Sequence, residues 1–151
     1  MNPDKLMHLI YTSAATARFN ASDLKKILQA ARNINAKRSV TGMLLHTAGT
    51  FFQVLEGEET TLKELFAKIA SDPRHAAVTE IIREPIAQRA FGDWTMGFTD
   101  VDPSELETIE GLSDFFKQGN SLTNLKPGRA RKLLSAFAQG RWRGRLKLDT
   151  K

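Results

Sequence analysis

Two short apolar runs with three residues between them, SVTGMLLH and TFFQVLEG around TAG, constrain this chain most. Each run is the length of a strand and rich in β-branched and aromatic residues, which suit a pleated surface. Gly49 supplies the backbone freedom of a tight connection, so the pair is expected to form a β-hairpin. A lone hairpin is marginal in water. The rest of the chain must therefore cover it.

Upstream, LMHLIYTS is β-prone, and SDLKKILQAARNIN sets Leu24, Ile27, Leu28 and Ala31 at helical spacing, with Ser22 as N-cap and Asn35 closing the helix. Downstream, TTLKELFAKIASD repeats that spacing at Leu62, Leu65, Phe66 and Ile69, with Thr61 and Glu64 as a capping box. VTEIIREPI reads as a strand interrupted by Pro85, and FGDWTMGF as another with Trp94, Met96 and Phe98 on one face. The order βαββαββ predicts an α+β fold, a ferredoxin-like sheet with two helices on one face. Ile10, Phe52 and Val54 are directed at the opposite face, which also needs cover. Residues 103–139 supply it: DPSELETIEGLSDFF opens with Asp102 and Pro103 as cap and first-turn residues, and PGRARKLLSAFA spaces Ala130, Leu133, Leu134 and Phe137 along a helix.

Charge is divided unevenly. Residues 1–116 hold 12 Lys+Arg against 16 Asp+Glu, and residues 117–151 hold 10 against 1. A basic tail on an acidic body suggests an interaction segment. The chain has no cysteine, hence no disulfide framework and no thiolate metal site. It has no apolar run of the roughly 18 residues that a membrane span requires, and its start lacks a signal-peptide pattern, so a cytoplasmic protein is expected. His8, His46 and His75 have neither metal-ligand spacing nor acidic companions, so no metal is expected. No phosphate-binding glycine loop or nucleophile elbow is present, which argues against an enzyme. The alternative is a ferredoxin-like RNA-binding module that stacks bases on its sheet, but the third strand lacks the basic-Gly-aromatic pattern and the positive charge lies outside the sheet.

The remaining oddity is Gln53, an amide on the same strand face as Phe51 and Leu55. A buried amide without partners costs about 1–3 kcal/mol, so a polar group should meet it inside the fold. Tyr11, the only tyrosine, and Asn35 are placed to do so, with Trp94 and Met96 on the last strand. A Tyr11 to Gln53 bond that merely satisfies two buried groups explains this pattern as well as a binding pocket does.

From about Met7 to Phe98 the chain resembles the BLUF domain, a blue-light sensor that uses FAD. The resemblance rests on LIYTS around Tyr11, ARNIN ending at Asn35, VTGMLL, FFQVLEG, DPRH at 72–75 and the W-x-M pair of FGDWTMGF, and on the Tyr11 to Asn35 and Asn35 to Gln53 intervals. It implies non-covalent FAD between the two helices, with Asn35 on the ring's pyrimidine edge, Gln53 bridging Tyr11 to the flavin, and Lys68, Asp72 and Arg74 near the ring and its ribityl-phosphate chain. Tyr11 and Gln53 would carry the photochemistry, without turnover, and Trp94 and Met96 would relay it. Ile34 and His46 depart from the family pattern, which usually has a polar residue before the asparagine and a tyrosine near the end of strand two. The implied organisation is a flavin-binding domain over residues 1–100, a helical cap over 101–139 and a frayed basic tail over 140–151. Nothing after residue 98 resembles an effector, so a stand-alone sensor acting on a separate, unidentified protein is expected, with a homo-oligomer compatible with the second apolar sheet face.

Overall fold

The structure, a computed structural model, describes residues 5–15, 21–72, 75–92, 97–109 and 111–139. The elements run β1 (Leu6–Ala15), α1 (Ala21–Arg38), β2 (Thr41–Thr47), β3 (Thr50–Glu58), α2 (Glu59–Ser71), β4 (His75–Pro85) and β5 (Gly97–Asp100). After them come α3 (Pro103–Leu106), α4 (Ser113–Lys117), a 3-10 turn (Leu122–Asn124) and α5 (Pro127–Ala138). The strand order is β4-β1-β3-β2-β5, antiparallel throughout except for β5, which runs parallel to β2.

The hairpin expected from the sequence is β2 and β3. Its two-residue turn puts Ala48 at φ 49° and Gly49 at φ 77°, the left-handed pair that matches the twist of the flanking strands. A second glycine, Gly42, serves close approach: a Cβ there would lie 1.9 Å from the Val54 carbonyl oxygen.

Alternation along the strands divides the apolar residues between two cores. Leu9, Tyr11, Leu44, Phe51 and Leu55 pack with Leu28 of α1 and with Leu62 and Leu65 of α2. On the opposite face, Ile10, Met43, Leu45, Phe52, Val54 and Ile82 pack beneath Leu106, Phe116, Leu122, Leu133 and Phe137. Two helices thus cover one face and the C-terminal helical segment covers the other, as the pattern predicted. With both faces covered, the sheet offers no open platform for stacked RNA bases.

Asp102 and Pro103 take their expected places, with Asp102 and Glu105 completing a reciprocal capping box. Other local expectations are corrected. Ala21 is already helical, which puts Ser22 inside the first turn, and α1 continues past Asn35 to Arg38. Because β3 runs straight into α2, Glu58 is the N-cap, without a side-chain bond, and Thr61 is buried inside the first turn. The last strand is β5, Gly97–Asp100, and Phe91 belongs to the preceding connection, where its N–H bonds the Glu56 carboxylate rather than a strand.

Candidate functional site

Tyr11 and Gln53 stand directly opposite each other in the β1–β3 ladder, and Gln53 also faces Leu44 across the β2–β3 ladder. Cross-strand pairs put their side chains on one face within contact distance. The Tyr11 hydroxyl donates to Gln53 Oε1. Both groups are buried, at 1% and 7% exposure, and Asn35 in the last turn of α1 is 3% exposed. The polar group expected to meet Gln53 is therefore Tyr11.

These side chains border a cavity of about 170 Å³ between α1 and α2. Leu28, Ala31, Leu44, Phe51, Leu55, Leu65 and Ile69 form apolar walls, and Asn35, Gln53 and Tyr11 supply polar groups. Apolar walls with a few convergent polar groups suit a small-molecule site. Phe66 lies beside the Tyr11 ring, centroids 5.5 Å apart and tilted by 59°. Lys68 and Asp72 at the C-terminal end of α2 also line the cavity, Lys68 exposed and Asp72 half-buried. Burial pushes the Tyr11 phenol well above its ordinary pKa, and the Asp72 charge acts in the same direction. The phenol is thereby kept protonated, a donor with one buried acceptor in reach.

The cavity brings together Tyr11, Asn35, Gln53, Lys68 and Asp72 of the residues singled out from sequence. Arg74, Trp94 and Met96 lie outside the described residues. Ile34, which departs from the family pattern beside Asn35, also lines the cavity, as does Leu44, which the sequence did not single out. The Leu44 position follows once β2 is registered against Gln53, which no single-strand pattern reveals. His46 is near the end of β2 with its ring 4.9 Å from Phe51, and His8 bonds Glu84 at 2.8 Å. No group of three acidic, histidine or cysteine side chains among the described residues could hold a metal ion.

The pocket's residues suit a flavin. A flat heteroaromatic ring needs apolar faces, supplied by the two helices, and edge partners that both donate and accept, which buried amides such as Asn35 and Gln53 provide. Lys68 adds an exposed cation to the lining.

Comparison with known proteins gives the same direction. The family model described as BLUF, sensors of blue-light using FAD, matches residues 6–97. The photoactivated adenylate cyclase subunit beta of Euglena gracilis is 37% identical over 123 residues, 80% of this chain and 14% of that protein. The blue light- and temperature-regulated antirepressor BluF of Escherichia coli K12 is 31% identical over 116 residues, 77% of this chain and 28% of that protein. This chain thus spans less than a third of the length of either relative. Among solved structures, the dark state of BlrB, a BLUF protein, superposes with a TM-score of 0.73 at 30% identity, covering 91% of this chain and 98% of that one. BlsA in its ground state gives 0.76 at 27% identity, covering 88% and 87%.

Proposed function

The chain belongs to the BLUF family, sensors of blue light using FAD, and from that premise we propose a photoreceptor in which Tyr11, Gln53 and Asn35 form the light-responsive site and a separate protein reads the result. The observation that carries this reading is the Tyr11 hydroxyl donating to Gln53 inside a pocket whose walls are mostly apolar. Asn35 and Gln53 would hold the edge of the ring, with Lys68, Asp72 and Arg74 near the ring and its ribityl-phosphate chain. The sensor unit is assigned to residues 1–100 and the helical cap to 101–139. No helix among the described residues is long and apolar enough to cross a membrane, and we place the protein in the cytoplasm.

FAD supplies the absorption of blue light and, once excited, a strong oxidant. Tyr11 holds its proton at Oη, aimed at Gln53 Oε1, and the raised pKa keeps that proton in place until the phenol is oxidised. An electron drawn from the phenol would make it strongly acidic and let its proton move along the existing bond to Oε1, and return of the electron would bring a proton back to Oη once Gln53 has rearranged. An amide has a donor end and an acceptor end, so rotation or tautomerisation of Gln53 exchanges the group it presents to Tyr11. Two hydrogen-bond arrangements of one side chain result, and a partner that binds one of them better converts light into a changed population of complexes. Trp94 and Met96 are assigned the relay toward β5. Nothing is consumed, and the related cyclases are matched over only a small part of their length.

Purified protein that is yellow, with a flavin band that shifts reversibly to the red under blue light, is the expected result. Bound flavin without any light-induced difference spectrum would refute the reading.

A further inference from the structure

The connection from β4 to β5 must cross the sheet, because β4 lies at one edge and β5 at the other, with β1, β3 and β2 between them. Its backbone is tied down in sequence as it crosses. The Ile86 N–H donates to the Leu6 carbonyl at the start of β1, 3.0 Å away. Farther on, the side chain of Glu56, near the end of β3, receives the N–H groups of Ala90 (2.6 Å) and Phe91 (3.1 Å). Thr41, which faces Glu56 across the β2–β3 ladder, donates its hydroxyl to the same carboxylate at 2.8 Å.

Arg89 fastens the other side of this crossing. Its guanidinium donates to the Ser39 carbonyl (2.8 Å), Thr41 Oγ1 (2.8 Å) and the Glu56 carbonyl (3.0 Å). The Phe91 side chain then enters the core beneath the cap. A carboxylate at 1% exposure is costly to bury unless hydrogen-bonded, and the backbone of the crossing meets that need. Glu56 is three residues from Gln53 on the same strand, with its side chain on the opposite face.

We propose that Glu56 is a positioning residue for the light response: its carboxylate, with Arg89, fixes the crossing connection against β2 and β3 and so sets how β5 lies on β2. The proposal rests on Gln53 being the switch. Gln53 faces Leu44, and Leu44 faces Phe98 of β5, so the hold of β5 on β2 borders the rearranging amide in the ladder. Loosening the crossing frees β5 and lowers the barrier for Gln53 to return to its dark arrangement.

The test compares the unaltered full chain with Glu56→Gln, Arg89→Ala and Thr41→Val, the last removing one donor to the carboxylate and one acceptor for Arg89 while leaving the acid itself in place. Glu56→Gln keeps the shape but gives a backbone N–H a donor to face. Amide hydrogen exchange at residues 97–100, measured on flavin-free protein, should be about tenfold faster in Glu56→Gln, in line with loss of a charge-assisted bond. In the FAD-loaded variant the red shift should persist while dark recovery is at least about threefold faster, with Thr41→Val intermediate. Recovery at the unaltered rate together with unchanged exchange in β5 would overturn the proposal and leave the photochemical reading standing. Absence of a red shift in the unaltered protein would overturn both.

Discussion

The two faces of the sheet are built from alternate residues of the same strands and reach opposite ends. Beneath α1 and α2 the packing stops short, leaving a cavity bordered by Tyr11, Asn35 and Gln53. Beneath the C-terminal segment, Phe52, Val54, Leu133 and Phe137 join one continuous apolar cluster. One face gives up contacts to make room for a ligand, and the other recovers them. Dispersion and burial on the cap side offset what the pocket side forgoes.

Several substitutions separate the faces. Phe137→Ala removes a large, fully buried ring from the filled face and should cost about 3–5 kcal/mol of stability by denaturant titration, without altering the colour of bound flavin. FAD bound in the proposed pocket would act on the other face alone. At 100 times its dissociation constant it should stabilise the protein by about 2.7 kcal/mol, and that increment should add to the Phe137→Ala loss because the sites do not share side chains. Asn35→Ala should shrink the FAD increment by about 1–2 kcal/mol, the worth of a lost buried hydrogen bond, measured as the ligand-dependent shift in melting temperature.

A smaller effect joins cap to sheet by charge. Arg131 of α5 grips both oxygens of Glu84, at 2.7 and 2.9 Å, and His8 bonds one of them. Hydrogen bonding to Arg131, reinforced by His8, lowers the Glu84 pKa from 4.5 to about 2. A carboxyl with a depressed folded pKa adds stability above its unfolded pKa and loses it as the pH falls through the folded one. Stability should therefore decline between pH 4.5 and about 2, and Arg131→Met should flatten that decline. The pair is solvent-exposed, so screening should keep its contribution the smallest of these effects.

The division into faces was legible because period-2 alternation survives in TFFQVLEG, and the cap followed from the second apolar face that alternation creates. Gln53 stood out for the same reason, as an amide in an apolar row. Element ends were less legible. Thr61 and Glu64 look like a capping box, yet β3 enters α2 without a loop and moves the helix start to Glu59. The last strand was misjudged because Phe91 and Gly92 continue an apolar-looking run while Glu56, distant in sequence, takes the backbone N–H of Phe91. Register and long-range side-chain to backbone bonds depend on the partner strand, which no local window contains.

Whether the polar pair on the open face is a light-driven switch or two satisfied core groups turns on the Tyr11 hydroxyl. The light-minus-dark difference spectrum of FAD-loaded Tyr11→Phe, beside the unaltered protein, tests it most directly. Phenylalanine keeps the ring's bulk and removes the hydroxyl that donates to Gln53, so retained flavin, a reversible red shift in the unaltered protein and none in the variant are expected. A full red shift in Tyr11→Phe would contradict the light-driven switch.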